Sequence, residues 1–160
     1  MQTANFLATG ALTIAGGLGI HRTLREKSAA SSAPVLVTAI GAGIFAAGVF
    51  PTDTAAETRS GGLTSRGVAH VAAAVPVFTG MPLACLSIAR YSRATGATRR
   101  SKVFTSLALV SALSATLMGV GFGGENAVSR RAGTIQRVAV ICGLGGVSLF
   151  CLQLCRGYVT

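Results

Sequence analysis

Charge is missing from five long stretches of this chain. Met1–His21, Ser28–Thr52, Gly67–Ala89, Val103–Gly124 and Val138–Cys155 contain no Asp, Glu, Lys or Arg, and they run from 18 to 25 residues each. A helix crosses the hydrocarbon of a bilayer with about 20 mostly apolar residues, within a range of about 17 to 25. Lipid offers the backbone no hydrogen-bond partner, so a spanning segment is a helix or a strand of a closed barrel. A barrel strand needs only about ten residues and alternates apolar with polar. These runs are too long and show no such alternation. The expected fold is therefore all-α: a membrane-spanning helical bundle with about five transmembrane helices, near 4–20, 34–50, 67–89, 103–122 and 136–155, forming a single domain over 1–160.

The remaining composition agrees. Of 160 residues, 51% are hydrophobic and 11% charged, against about 25% charged in a soluble domain. A net charge of +10 would suggest nucleic acid in a soluble protein. Here the bases sit in short clusters between apolar runs, where the positive-inside rule accounts for them, and no nucleic-acid partner is expected. The first run is not a signal peptide by its pattern: His21, Arg22, Arg25 and Lys27 follow it and no base precedes it. Loops 21–33 and 90–102 together with Arg156 carry +8, and the two loops on the other side carry +2. That bias places the N-terminus outside and the C-terminus in the cytoplasm of a bacterial cell membrane. The cluster Ala97–Lys102 reads as a topology anchor, and Tyr91 and Tyr158 fall where interfacial aromatics belong.

Small residues recur four apart, at Ala11 and Ala15, Ala39 and Gly43, Gly43 and Ala47, Ala108 and Ala112, and Ser111 and Ala115. That spacing lets helices approach closely in lipid. The third run holds Pro76, Gly80 and Pro82, where a kink is expected; prolines are common in membrane helices, and a cavity beside the kink is the alternative. Cys85, Cys142, Cys151 and Cys155 all lie in apolar runs and read as small buried residues, with Cys155 beside Arg156 placed for lipidation as the alternative. Gln153 is placed to bridge helices or line a path.

Chemistry gathers at one rim. Val49–Asp53 reads VFPTD, where an uncharged run ends at a proline and then a carboxylate. His70 follows about one turn into the third run, Glu125 follows the fourth, and Arg130, Arg131 and Arg137 lead into the fifth. His70 is the one titratable side chain inside a span apart from the cysteines, which makes it a functional candidate by default. Three readings stand side by side. In the first, Asp53 accepts from His70 or caps the third helix, with Phe50, Pro51, Pro76 and Pro82 as structural residues. In the second, Asp53, His70, Arg130, Arg131 and Arg137 form the mouth of a site for a lipid or lipophilic small molecule. In the third, Asp53, His70 and Glu125 are the acid–base residues of a membrane-embedded isomerase, cyclase or transferase. A small transporter subunit is a further alternative, weakened because no Asp, Glu, Lys or Arg lies near mid-membrane. The chain has no His/Cys metal spacing, no glycine-rich phosphate loop and no Ser–His–Asp elbow. No cofactor and no metal is expected, and whether the chain is an enzyme stays open.

The stretch GAGIFAAGVFPTD, followed by a loop and RGVAHVAAAVPVF, resembles an uncharacterised bacterial membrane family, domain of unknown function nine-nine-eight, common in actinobacteria. The resemblance implies a helical bundle. The family's recurring Phe-Pro-x-Asp and following His correspond to Phe50, Pro51, Asp53 and His70. GTIQRVAVICGL, Gly133 to Leu144, is similar to the start of the family's last helix, with Gln136 and Arg137 matching. Members begin with one more helix, so the first run here resembles their second. Either the sequence starts late or this member has lost that helix, and a loss would open the bundle on one side and favour homo-oligomers.

Overall fold

The computed structural model describes residues 2–26, 31–54, 57, 62–122 and 127–157. Five helices account for nearly all of them: α1 Gln2–Glu26, α2 Ala33–Val49, α3 Ser65–Ala94, α4 Thr98–Phe122 and α5 Ala132–Cys155, with a single 3-10 turn, Ser129–Arg131, before α5. No strand occurs among the described residues. The all-α bundle read from the uncharged runs is the observed architecture. Among the described residues, four helices are long and apolar enough to cross a membrane.

The helices do not end where the apolar runs end. α1 continues through Arg22 and Arg25 to Glu26, α3 through Arg90 and Arg93, and α4 begins at Thr98, ahead of its first apolar residue. Arginine and lysine are good helix formers, and their long side chains reach polar surroundings from a helix end. The second helix departs the other way. Its run is among the longest, yet α2 has only 17 residues, about 25 Å at 1.5 Å per residue. Pro34 sits in its first turn and Pro51 follows its end. The residue before a proline is pushed out of the helical region, and Phe50 has φ −107°, ψ 89°. α2 lies between α1 and α3, and about half of its residues are buried.

Glycine makes that packing possible. A Cβ on Gly41 would lie 2.6 Å from the Ile14 backbone nitrogen, and one on Gly10 would lie 2.6 Å from that of Phe45. α1 and α2 therefore meet backbone to backbone, the close approach small residues permit in lipid. Gly43 meets the Ala73 carbonyl of α3 in the same way. Of the sequence pairs, Gly43–Ala47 is buried, whereas Ala11 and Ala15 lie on the exposed face of α1. Spacing alone did not show which side of α1 faces α2.

α3 runs unbroken through Pro76 and Pro82. Between α3 and α4 the chain reverses through Thr95, Gly96 and Ala97. The Ala97 amide donates to the Ser92 carbonyl at 2.8 Å and the Gly96 amide to that of Arg93 at 3.1 Å. This Schellman pattern requires a left-handed residue, and Gly96 supplies it at φ +78°.

The large buried side chains collect in the half of the bundle near this turn. Phe104, Phe150, Ile20 and Ile88 are at most 1% exposed. Phe150 meets Tyr91 and Phe104 edge to face at 5.9 and 6.0 Å. Leu12, Val35, Leu109, Leu113 and Ile141 stand well exposed on the outer faces, which suits a surface bathed in lipid and not in water. Cys85 is buried, Cys142 and Cys151 are half-buried and Cys155 is exposed, so the fourth cysteine departs from the buried reading.

Candidate ligand site at the His70 pole

Helix ends decide the site. In an α-helix the last carbonyls have no amide to accept from. The Ala47 carbonyl would take its bond from residue 51, but Pro51 has no N–H. His70, on α3, fills that gap: its Nδ1 lies 3.2 Å from the Ala47 oxygen and 2.7 Å from the Phe50 oxygen. The FP step and the histidine 20 residues after Phe50 thus form one device, in which α3 supplies the donor that the end of α2 lacks.

Asp53 does something separate. Its carboxylate accepts from the Thr64 amide at 2.8 Å and from the Thr64 hydroxyl at 2.5 Å. Thr64 is the N-cap of α3, and its hydroxyl oxygen accepts in turn from the Gly67 amide at 3.2 Å. Gly67 has no side chain to obstruct this: a Cβ there would overlap the Asp53 carboxylate. Arg66 stands 3.8 Å away, and the Asp53 side chain is 1% exposed. A negative group at a helix N-terminus is favoured by the helix dipole. The Thr64 hydroxyl, then its amide, then Arg66 hold the Asp53 carboxyl below the usual range. Glu57 is held low by the Thr54 amide first, then by the Thr54 hydroxyl and Arg66. Thr54 and Glu57 bond reciprocally as a capping box, at 2.7 and 3.2 Å. Arg66 closes the group with a 2.9 Å bond to Glu57.

Of the two pairings first expected of Asp53, neither is seen directly: Thr64 caps α3, and Asp53 holds that cap residue. His70 bonds carbonyls of α2 and not the carboxylate. Asp53 and His70 still share a pole, because α2 ends where α3 begins.

A cavity of about 250 Å³ opens beside His70. Its walls come from α1 (Asn5, Phe6, Thr9), α2 (Ile44, Ala47), α3 (His70, Ala74, Val77, Phe78) and α5 (Gln136, Val140, Leu144). α1 and α5 touch only sparsely, with Gly16 near Cys151 toward the opposite half. The cavity thus sits at a seam between the first and last helices. Its polar lining is Asn5, Thr9, His70 and Gln136, with no Asp, Glu, Lys or Arg among the lining residues.

The predicted arginines are placed differently. Arg130 and Arg131 lie in the 3-10 turn and Arg137 in the first turns of α5; all three are exposed, and none lines the cavity. Glu125 lies outside the described residues. Among the described residues no three of His, Cys, Asp and Glu gather closely enough to share an ion. Asn5, Thr9 and Gln136 went unrecognised as site residues in the sequence. The available signal was a carboxamide near the end of an otherwise apolar run, at a pole that also carries a histidine.

The family model described as "Protein of unknown function (DUF998)" matches residues 1–153. The chain belongs to this family. The match spans every helix of this DUF998 protein but the final residues of α5, and includes Phe50, Pro51, Asp53, His70 and Gln136. The DUF998 chain matches no curated protein and no solved structure.

Proposed function

We propose that this chain is a membrane-embedded binding component that takes a lipid or lipophilic small molecule into the cavity between α1 and α5. The cavity carries the reading. It is bordered by four helices, mostly apolar, placed at a seam, and fitted with a few hydrogen-bonding groups. That is the usual make-up of a small-molecule site. A ligand from lipid would enter sideways without crossing water. The charge bias of the loops supports an arrangement in a bacterial cell membrane with the His70 pole outside. The isomerase, cyclase or transferase reading has less support, because Thr64 and Arg66 already engage the Asp53 carboxylate that such chemistry would use.

Photolabelling in nanodiscs tests the proposal. A diazirine-bearing decyl chain should place its adducts at Phe6, Phe78 and Val140, and Ala74→Leu should deplete them several-fold by filling the cavity. Labelling spread evenly over Leu12, Leu109 and Ile141, unchanged in Ala74→Leu, would refute it.

A further inference from the structure

We infer that the cavity selects a lipophilic alcohol, read through its hydroxyl proton by His70 Nε2; this rests on the binding role proposed above. The tautomer is the central observation. His70 Nδ1 faces two carbonyl oxygens, of Phe50 at 2.7 Å and Ala47 at 3.2 Å. Carbonyls only accept, so Nδ1 carries the proton. In the neutral ring Nε2 is then a bare acceptor. It has no hydrogen-bond partner among the described residues, and it is not sealed from contact.

The tautomer is set by the fold. Pro51 leaves the Ala47 carbonyl without an amide, so turning the proton to Nε2 would leave a buried acceptor facing a lone pair. One neutral acceptor at a polar rim, with an apolar cavity behind it, complements a molecule with one O–H and a hydrocarbon body. It does not complement a phosphate or a carboxylate, which bring only acceptors and charge. The Asn5 and Gln136 carboxamides lie on the same lining and carry N–H donors suited to the hydroxyl oxygen.

The test uses the full chain in nanodiscs with 1-decanol, methyl decyl ether and decane as probes. In long-range proton–nitrogen spectra of protein labelled at histidine, His21→Gln identifies the His70 signals. They should show the Nδ1–H tautomer without ligand, and 1-decanol alone should move the Nε2 resonance. In competition with the decyl photolabel, 1-decanol should act about five- to tenfold more strongly than its methyl ether, the size of one neutral hydrogen bond. His70→Phe should erase the difference. A resting Nε2–H tautomer or a doubly protonated ring overturns the inference. Equal competition by alcohol and ether overturns it while leaving the cavity's binding role intact. Failure of all three probes to compete overturns both.

Discussion

Gly41 and Gly145 look alike in sequence, each a helical glycine in an apolar run, yet alanine should act oppositely at the two. A Cβ at Gly41 would lie 2.6 Å from the Ile14 nitrogen and 2.9 Å from the Gly10 carbonyl oxygen. Non-bonded carbon contacts settle at about 3.5–4.0 Å, so α1 and α2 must part by roughly 1 Å. Two of the obstructing groups are backbone, which no rotamer change relieves. The cost therefore belongs near the upper end of the ~1–3 kcal/mol seen for overpacking. Alanine's helix preference over glycine offsets at most ~1 kcal/mol, and less where the unfolded state in SDS is itself helical. The net loss is ~2–3 kcal/mol, a large part of the ~5–15 kcal/mol that holds a typical fold. At Gly145 a Cβ meets nothing within 4 Å, so Gly145→Ala should be neutral or gain up to ~1 kcal/mol. SDS titration of detergent-solubilised protein, read by pulse proteolysis, compares the two. If Gly41→Ala resists SDS as well as Gly145→Ala does, the backbone contact between α1 and α2 is not what holds that pair together.

Three other outcomes follow from the same structure. The Ser111 hydroxyl, fully buried, donates to the Ala139 carbonyl at 3.1 Å; Ser111→Ala should cost about 0.6 kcal/mol in the same titration, the mean for such bonds between membrane helices. Asp53 has its folded-state pKa below its ordinary value of 3.8, so its link to Thr64 is complete above that value and is lost as pH falls through the lower folded value. Hydrogen exchange at the Thr64 and Gly67 amides, corrected for intrinsic rate, should be flat from neutral to about pH 5 and rise only below the ordinary carboxylate range. Asp53→Asn should abolish the step, and a step near neutrality would refute the assignment. In a cysteine-free background on whole cells, an impermeant maleimide should label Leu63→Cys, and should label Thr98→Cys only after permeabilisation. A reversed pattern overturns the orientation, and labelling of both from one side overturns the crossing of the membrane by α3.

What could be read in advance was whatever a single segment decides. An ionised side chain in hydrocarbon is costly wherever it occurs, so the five uncharged runs marked the five helices without reference to one another. Pro51 ended α2 for an equally local reason, since it constrains Phe50 and lacks an amide. VFPTD and His70 were rightly singled out as belonging together, but their relation was not legible. Two bonds were conceivable for Asp53, and only the meeting of α2 with α3 shows the carboxylate on Thr64 and the imidazole on the carbonyls of Ala47 and Phe50. The cavity was less visible still. Asn5, His70 and Gln136 come from three helices, and the space they border exists because α1 and α5 stay apart at that pole while Tyr91, Phe104 and Phe150 fill the other half. Hydropathy is summed residue by residue along the chain, whereas a void is set by the distance between helices far apart in sequence, and that distance is fixed only when all five pack at once.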